Sequence, residues 1–231
     1  MHSDGCEFFE KFVIFFPMGK KSSSKFGDIR LDATFAILLS GMITRYKSIL
    51  KRIGDNRNDE VRFGRFIKNP KVTPKGLLEH HWSSTDHNFS GSHLLVISDT
   101  STLSFPPNAN RGELGWVGPK TNKTGFDIHP SILVNGEDGA FYGLGGITIH
   151  ETEIAHTDEE RAAKKNKKKN NWKRPFKEKE TYKWIASPQQ AIENCSGAAS
   201  YTLLGDRESD IYDAITRALG QGWQFLFRSS N

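Results

Sequence analysis

The sequence predicts an α/β protein: a mixed sheet with flanking helices, preceded by a small all-α N-terminal domain. Three observations carry this. Apolar residues recur at helical spacing between about residues 25 and 81, above all in "DATFAILLSGMITRYKSIL". From His93 the period shortens into strand-like runs divided by Gly, Asn, Pro and Asp. Beyond residue 180 helix-like and strand-like segments alternate, the order expected of a sheet with helices laid against it.

A chain of 231 residues has room for one domain of moderate size and a smaller one beside it. Hydrophobic residues are 36% and charged residues 26%, which suits a packed core and argues against a wholly disordered protein. The two cysteines, Cys6 and Cys195, are too few for a disulfide framework or a cysteine-rich zinc module and suit a reducing compartment. A formal net charge of +5 and a pI of about 9.1 hint at a polyanionic partner, and the placement of the basic residues matters more than their number.

Residues 1–24 form an N-terminal extension without an assignment. Its apolar patch in "MHSDGCEFFEKFVIFFPMGKK" is interrupted by Asp4, Glu7, Glu10 and Lys11, so it is neither a good signal segment nor a span. Met18 offers a second start. No later run is long enough to cross a membrane, so the expected setting is the cytoplasm, with no membrane partner.

Residues 25–90 read as a helical domain. The first helix carries Phe35, Leu38, Leu39, Met42 and Ile43 at helical spacing, with Asp32 expected as its N-cap. "NDEVRFGRFIKN" reads as a second helix, stopped by Asn69-Pro70. "TPKGLLEHH" begins with Thr73 as cap and Pro74 at the first helical position, where proline is favoured. The many Lys and Arg residues allow either a solvated basic surface or a DNA-binding one.

Residues 91–231 supply the sheet. "HLLVIS" (93–98), "HPSILV" (129–134) and "FYGLGGITI" (141–149) are strand-like. A helix is expected around "TYKWIASPQQAIENC", then a strand and turn in "SYTLLGD". "SDIYDAITRALGQG" reads as a helix closed by Gly220 and Gly222, and "WQFLFRS" as the last strand. Between residues 161 and 179, "RAAKKNKKKNNWKRPFKEK" has too few apolar residues to pack. It is either a solvated run or a phosphate-tracking patch built on Lys164, Lys165, Lys167, Lys168 and Lys169, with Trp172 and Phe176 available to stack or to anchor the loop.

Asp99 ends the first strand and Asp206 ends the fourth. A charge beside a core is costly unless it is solvated, paired or bound to a metal. Each aspartate alone fits a local cap, and "GDRESD" offers both Asp206 and Asp210 for that task. If the two strands are neighbours, the carboxylates meet at the carboxyl edge of the sheet, where sites form and where a divalent ion relieves their repulsion. The histidines His80, His81, His87, His93, His129, His150 and His156 show no zinc-site spacing and read as core or solvated side chains.

"ISDTSTLSF" and "LLGDRESDIYD" resemble the two aspartate motifs of bacterial insertion-sequence DDE transposases of the insertion sequence 4 group, cut-and-paste enzymes on a ribonuclease H-like fold. "KFGDIRLDATFAILL" and "FGRFIKNPKVTPKGL" resemble that group's end-binding helices. "LGWVGPKTNKTGFDIHPSILV", "KEKETYKW" and "FLFRSS" resemble its later segments. The resemblance runs from about Lys25 to the end. It implies that Asp99 and Asp206 are catalytic, metal-binding carboxylates using Mg2+, with Mn2+ able to substitute, and that Arg228 lies near the DNA backbone. The roles of Arg207 and Glu208, carried in the motif, stay open. The implied partner is double-stranded DNA at transposon ends, bound by a possible homodimer, on nucleoid DNA in the bacterial cytoplasm. The family's third acid is a glutamate in a Tyr-Arg-x-x-x-Glu pattern well beyond the fifth strand, and this sequence stops at Asn231 before it. The expectation is therefore a truncated, cleavage-defective transposase, or alternatively a non-catalytic end-binding protein or inhibitor of transposition.

If the lysine run tracks phosphates, replacing Lys164, Lys165, Lys167, Lys168 and Lys169 by Gln flattens the salt dependence of duplex binding, by about 0.9 in the log–log slope for each phosphate no longer neutralised. Fluorescence anisotropy at several salt concentrations measures this, and an unchanged slope assigns the run to solvent.

Overall fold

The structure, a computed structural model, describes residues 24, 26–84, 88–105, 114–115, 117, 124–151, 159 and 170–229. Residues 1–23 and Lys164, Lys165, Lys167, Lys168 and Lys169 lie outside these. The chain divides into two compact units, Met1–Asp86 and His87–Asn231.

The first unit is helical: α1 (Ile29–Arg45), α2 (Leu50–Ile53), α3 (Arg57–Ile67) and α4 (Pro74–Ser84). The N-cap of α1 is Asp28, which accepts from the Arg30 amide at 3.0 Å. Asp32, expected as the cap, lies one turn later and accepts from the Phe26 amide at 3.4 Å. Asn56 caps α3 by accepting from the Asp59 amide at 3.1 Å. Thr73 accepts from the Gly76 amide at 3.1 Å, as its place before Pro74 predicts. The apolar stripes meet in a core of Phe26, Leu38, Ile53, Phe63 and Phe66, with Phe35 packed against it. His80 is buried there, 4.7 Å from Phe35 between ring centroids and stacked on Phe26. Met42, expected on the buried face, is exposed.

The second unit is built on a mixed sheet of six strands: β1 (His93–Ser98), β2 (Ser101–Phe105), β3 (Thr124–Asn135), β4 (Phe141–Glu151), β5 (Ser200–Gly205) and β6 (Gln224–Phe227). β3 pairs antiparallel with β1 and β2 along one edge and with β4 along the other, while β1, β5 and β6 run parallel. Helices α5 (Lys183–Asn194) and α6 (Tyr212–Gly220) flank the sheet, an arrangement compatible with a ribonuclease H-like fold.

β1 and β2 are one strand with a gap. Ser98 pairs with Ser131 and Ser101 with Ile128, so the register runs on unchanged and sets Asp99 opposite Pro130 and Thr100 opposite His129. The Gly136 amide donates to the His93 carbonyl at 2.8 Å, which marks the Asp99–Pro130 pair, by parity, as a hydrogen-bonded one. Pro130 has no N–H, and the ladder is interrupted at that rung. The hydroxyl-rich "TST" has the composition of a turn. Instead Ser101 and Thr102 open β2, and Thr102 donates to Asp127 at 2.6 Å.

Alternation along β1 buries Leu94, Val96 and Ser98 on the α5 side, with Leu133 and Leu203 beside them. The helix lies unusually close to the sheet. A Cβ on Gly146 would fall 2.1 Å from the Ser187 carbonyl oxygen, and one on Gly145 would fall 2.6 Å from the Ala191 Cβ. A chain of buried hydroxyls crosses the contact, Ser98 to Ser131 at 2.7 Å and Ser131 to Ser187 at 2.8 Å. Each hydroxyl thereby finds a partner that burial would otherwise deny it.

Gly146→Ala therefore destabilises the protein by about 1–3 kcal/mol, the usual cost of overpacking a dense contact. Gly64→Ala, inside α3 with nothing within 4 Å of the added methyl, instead stabilises it by up to about 1 kcal/mol. Urea unfolding of the two variants measures both signs.

Candidate functional site

Asp99, Asp206 and Arg228 follow the carboxyl ends of the parallel strands β1, β5 and β6. β1 and β5 pair from His93 with Ser200 to Ile97 with Leu204, and extending this register by two positions sets Asp99 opposite Asp206. β5 and β6 pair up to Gly205 with Phe227, so the next position sets Asp206 opposite Arg228. The Arg228 amide donates to the Gly205 carbonyl at 3.3 Å, which carries the pairing on to that level. Neighbouring strands lie about 4.8 Å apart, so the register continued past the strand ends sets the three residues in one row.

Alternation also decides their side. Ser98 and Leu203 face α5, and alternation carried past the strand ends assigns Asp99 and Asp206 to the opposite face. Asp206 keeps an extended backbone, at φ −77° and ψ −169°, so the alternation holds at its position. Both carboxylates are exposed.

Each carboxylate also has a local partner. Asp99 Oδ1 accepts from the Thr100 amide at 2.7 Å, and Asp206 Oδ1 accepts from the Glu208 amide at 2.9 Å, capping a short 3-10 turn at Arg207–Ser209. One amide occupies only part of the acceptor capacity of a carboxylate, so each keeps lone pairs for a further partner. The longer helix expected near Asp206 starts later: α6 begins at Tyr212, and Asp210 lies between the 3-10 turn and that helix. Among the described residues no three His, Cys, Asp or Glu side chains gather as a metal-ligand group.

One residue beside the site reads only as generic in the sequence. His129 is 1% exposed and packs against Trp184, ring centroids 4.4 Å apart. Its Nδ1 is 2.9 Å from the Thr100 hydroxyl, while its Nε2 has no described hydrogen-bond partner. Burial pushes the imidazole down to about 4, the Lys183 charge acts in the same direction, and Asp206 opposes them. The signal in the sequence is His-Pro inside an otherwise apolar strand, two residues that a buried strand rarely carries together.

Of the loop aromatics, Phe176 is the anchor. It is buried with Trp184, Ile185 and Ala214, with the Arg217 guanidinium 5.6 Å from its ring centroid. Trp172 is 74% exposed beside Lys173. No helix among the described residues is long and apolar enough to cross a membrane.

A neutral buried histidine makes stability pH-dependent with a definite sign. Between about pH 6.5 and 4 the unfolded chain binds more protons at His129 than the folded chain, so this contribution is complete above the window and lost as pH falls through it. Urea unfolding of wild type should lose about 2 kcal/mol more between about pH 7 and 4.5 than unfolding of His129→Asn.

No family model matches the chain, and no curated protein matches it. Among solved structures it is similar to one described as the cryo-EM structure of piggyBac transposase synaptic complex with hairpin DNA, at 9% identity and a TM-score of 0.38. The match covers 97% of this chain and 47% of that one, so the chain spans about half the length of the structure it resembles. A likeness this distant decides neither fold nor activity.

Proposed function

We propose that the chain is a DNA-binding protein of the DDE transposase type, of the insertion sequence 4 group, whose Asp99 and Asp206 share a divalent-cation site for phosphodiester chemistry. The observation that supports the reading is the parallel register of β1 and β5, which, continued two positions, sets exposed Asp99 opposite exposed Asp206. Hard, oxygen-rich and water-accessible positions of this kind suit Mg2+ or Mn2+, which keep part of their water shell. A bound ion would supply Lewis-acid polarisation of a phosphoryl oxygen. Asp99 and Asp206 would hold it from two strand ends, and Arg228 in the same row would offer its guanidinium to a phosphate.

Charge placement in the helical unit supports the DNA partner. Five acids there are matched by neighbouring bases: Asp28 by Arg30, Asp55 by Arg45, Glu60 by Arg57, Asp59 by Arg62 and Glu79 by Lys75. Lys47, Lys51, Arg52, Arg65 and Lys68 are exposed and have no ion-pair partner among the described residues. Such cations remain available for phosphate, where each contact releases counterions.

A second reading, binding without cutting, is favoured by the two-carboxylate set. Two metal ions clamped for strand cleavage need more fixed negative charge than Asp99 and Asp206 provide, and no third acid joins them among the described residues.

The test combines binding and cleavage. The full chain should bind duplex DNA with strongly salt-dependent affinity, and should leave a supercoiled plasmid unnicked in Mg2+ or Mn2+, with Asp99→Ala behaving alike. Absence of duplex binding at low salt sinks the DNA reading. Mn2+-dependent nicking that disappears in Asp99→Ala would show that the chain completes a catalytic set and would overturn binding without cutting.

A further inference from the structure

We infer that His129 is a positioning residue for Asp99, acting from the opposite face of the sheet through the Thr100 hydroxyl; the inference rests on the cation-site reading above. The starting point is the gap in the ladder. At a hydrogen-bonded rung Asp99 should receive a donor from the facing residue of β3, and that residue is Pro130. The Asp99 carbonyl therefore receives no donor from Pro130, at the place where a metal ligand needs a fixed orientation.

The next rung replaces that anchor with side chains. Thr100 faces His129 in the same register, and its Oγ1 lies 2.9 Å from the imidazole Nδ1. The imidazole itself cannot wander: it is 1% exposed and set against Trp184. From that fixed point the bond runs through Thr100, whose amide donates to Asp99 Oδ1 at 2.7 Å. One carboxylate oxygen is thus oriented by a residue whose side chain is tethered into the core. Alternation sends Asp99 to the opposite face, so His129 orients the carboxylate without standing at the ion.

The groups around the histidine fit this role. Lys183 and Asp206 bring opposite charges near it, and its described hydrogen bond is made by Nδ1 alone. A replacement therefore has to reproduce only the Nδ1 position. The amide of Asn reaches about as far from the backbone as Nδ1, whereas Leu offers no polar atom there.

Mn2+ titration of the full chain, followed by the electron paramagnetic resonance of free Mn2+, tests the relay. Wild type should bind, and Asp99→Ala should not. Thr100→Val and His129→Leu should each weaken Mn2+ binding about tenfold, the lower end of the effect of removing a support behind a metal ligand. Thr100→Ser and His129→Asn should restore binding to within about twofold. The double variant should be no weaker than either single one, because both substitutions break the same link. Thr100→Val alters a half-buried side chain, so the Thr100 pair decides the matter even if His129→Leu fails to fold. Wild-type binding in Thr100→Val, with Asp99→Ala still unable to bind, overturns the positioning role and leaves the site standing. Equal absence of binding in wild type and Asp99→Ala removes the site itself, and the positioning role with it.

Discussion

The second unit depends on a constraint in its longest strand: β3 is hydrogen-bonded along both edges, yet Pro130 in its interior cannot donate. A proline there would normally argue against a central strand. The chain accommodates it by confining the missing bond to one rung, with the β1–β2 register identical before and after the gap. That rung belongs to Asp99. The side chain of Asp99 is exposed at the carboxyl edge, and Thr100 with His129 supplies side-chain anchoring beside it.

Beneath this edge, α5 holds the strands to a common level. Gly145 and Gly146 let the helix backbone come down onto β4, and the Ser98–Ser131–Ser187 chain passes from the sheet into the helix. The contact tolerates Pro188 inside α5, which is buried against the sheet. Phe176, Trp184, Ile185 and Ala214 form a further buried cluster, which anchors the chain just before α5.

The electrostatics of the two faces differ for a physical reason. Asp99 and Asp206 are both exposed, where water screens the interaction between like charges. On the α5 side water is excluded, and there an ionised group would be costly. The imidazole of His129 is accordingly held neutral by burial, with the Lys183 charge acting in the same direction and Asp206 against it, and its Nδ1 meets the Thr100 hydroxyl.

Much of this is legible in the residues. Helical spacing, Asn69-Pro70 and Thr73-Pro74 locate the helices of the first unit, and the apolar runs locate β1, β4, β5 and β6, because hydrophobic periodicity is a local property of the chain. The aspartates at the ends of "HLLVIS" and "SYTLLG" are legible for the same reason. Other features were decided only by tertiary structure. Asp28 rather than Asp32 caps α1, since both are good caps and the path of the preceding chain selects between them. β2 and the first residues of β3 are polar or glycine-containing, and cross-strand bonds rather than apolar content hold them as strands. His129 reads as one histidine among several until register puts it opposite Thr100. The sequence by itself determined which residues end strands. Which strand ends become neighbours was decided by register, which joins β1 to β5, more than a hundred positions apart, through hydrogen bonds that leave no mark on local composition.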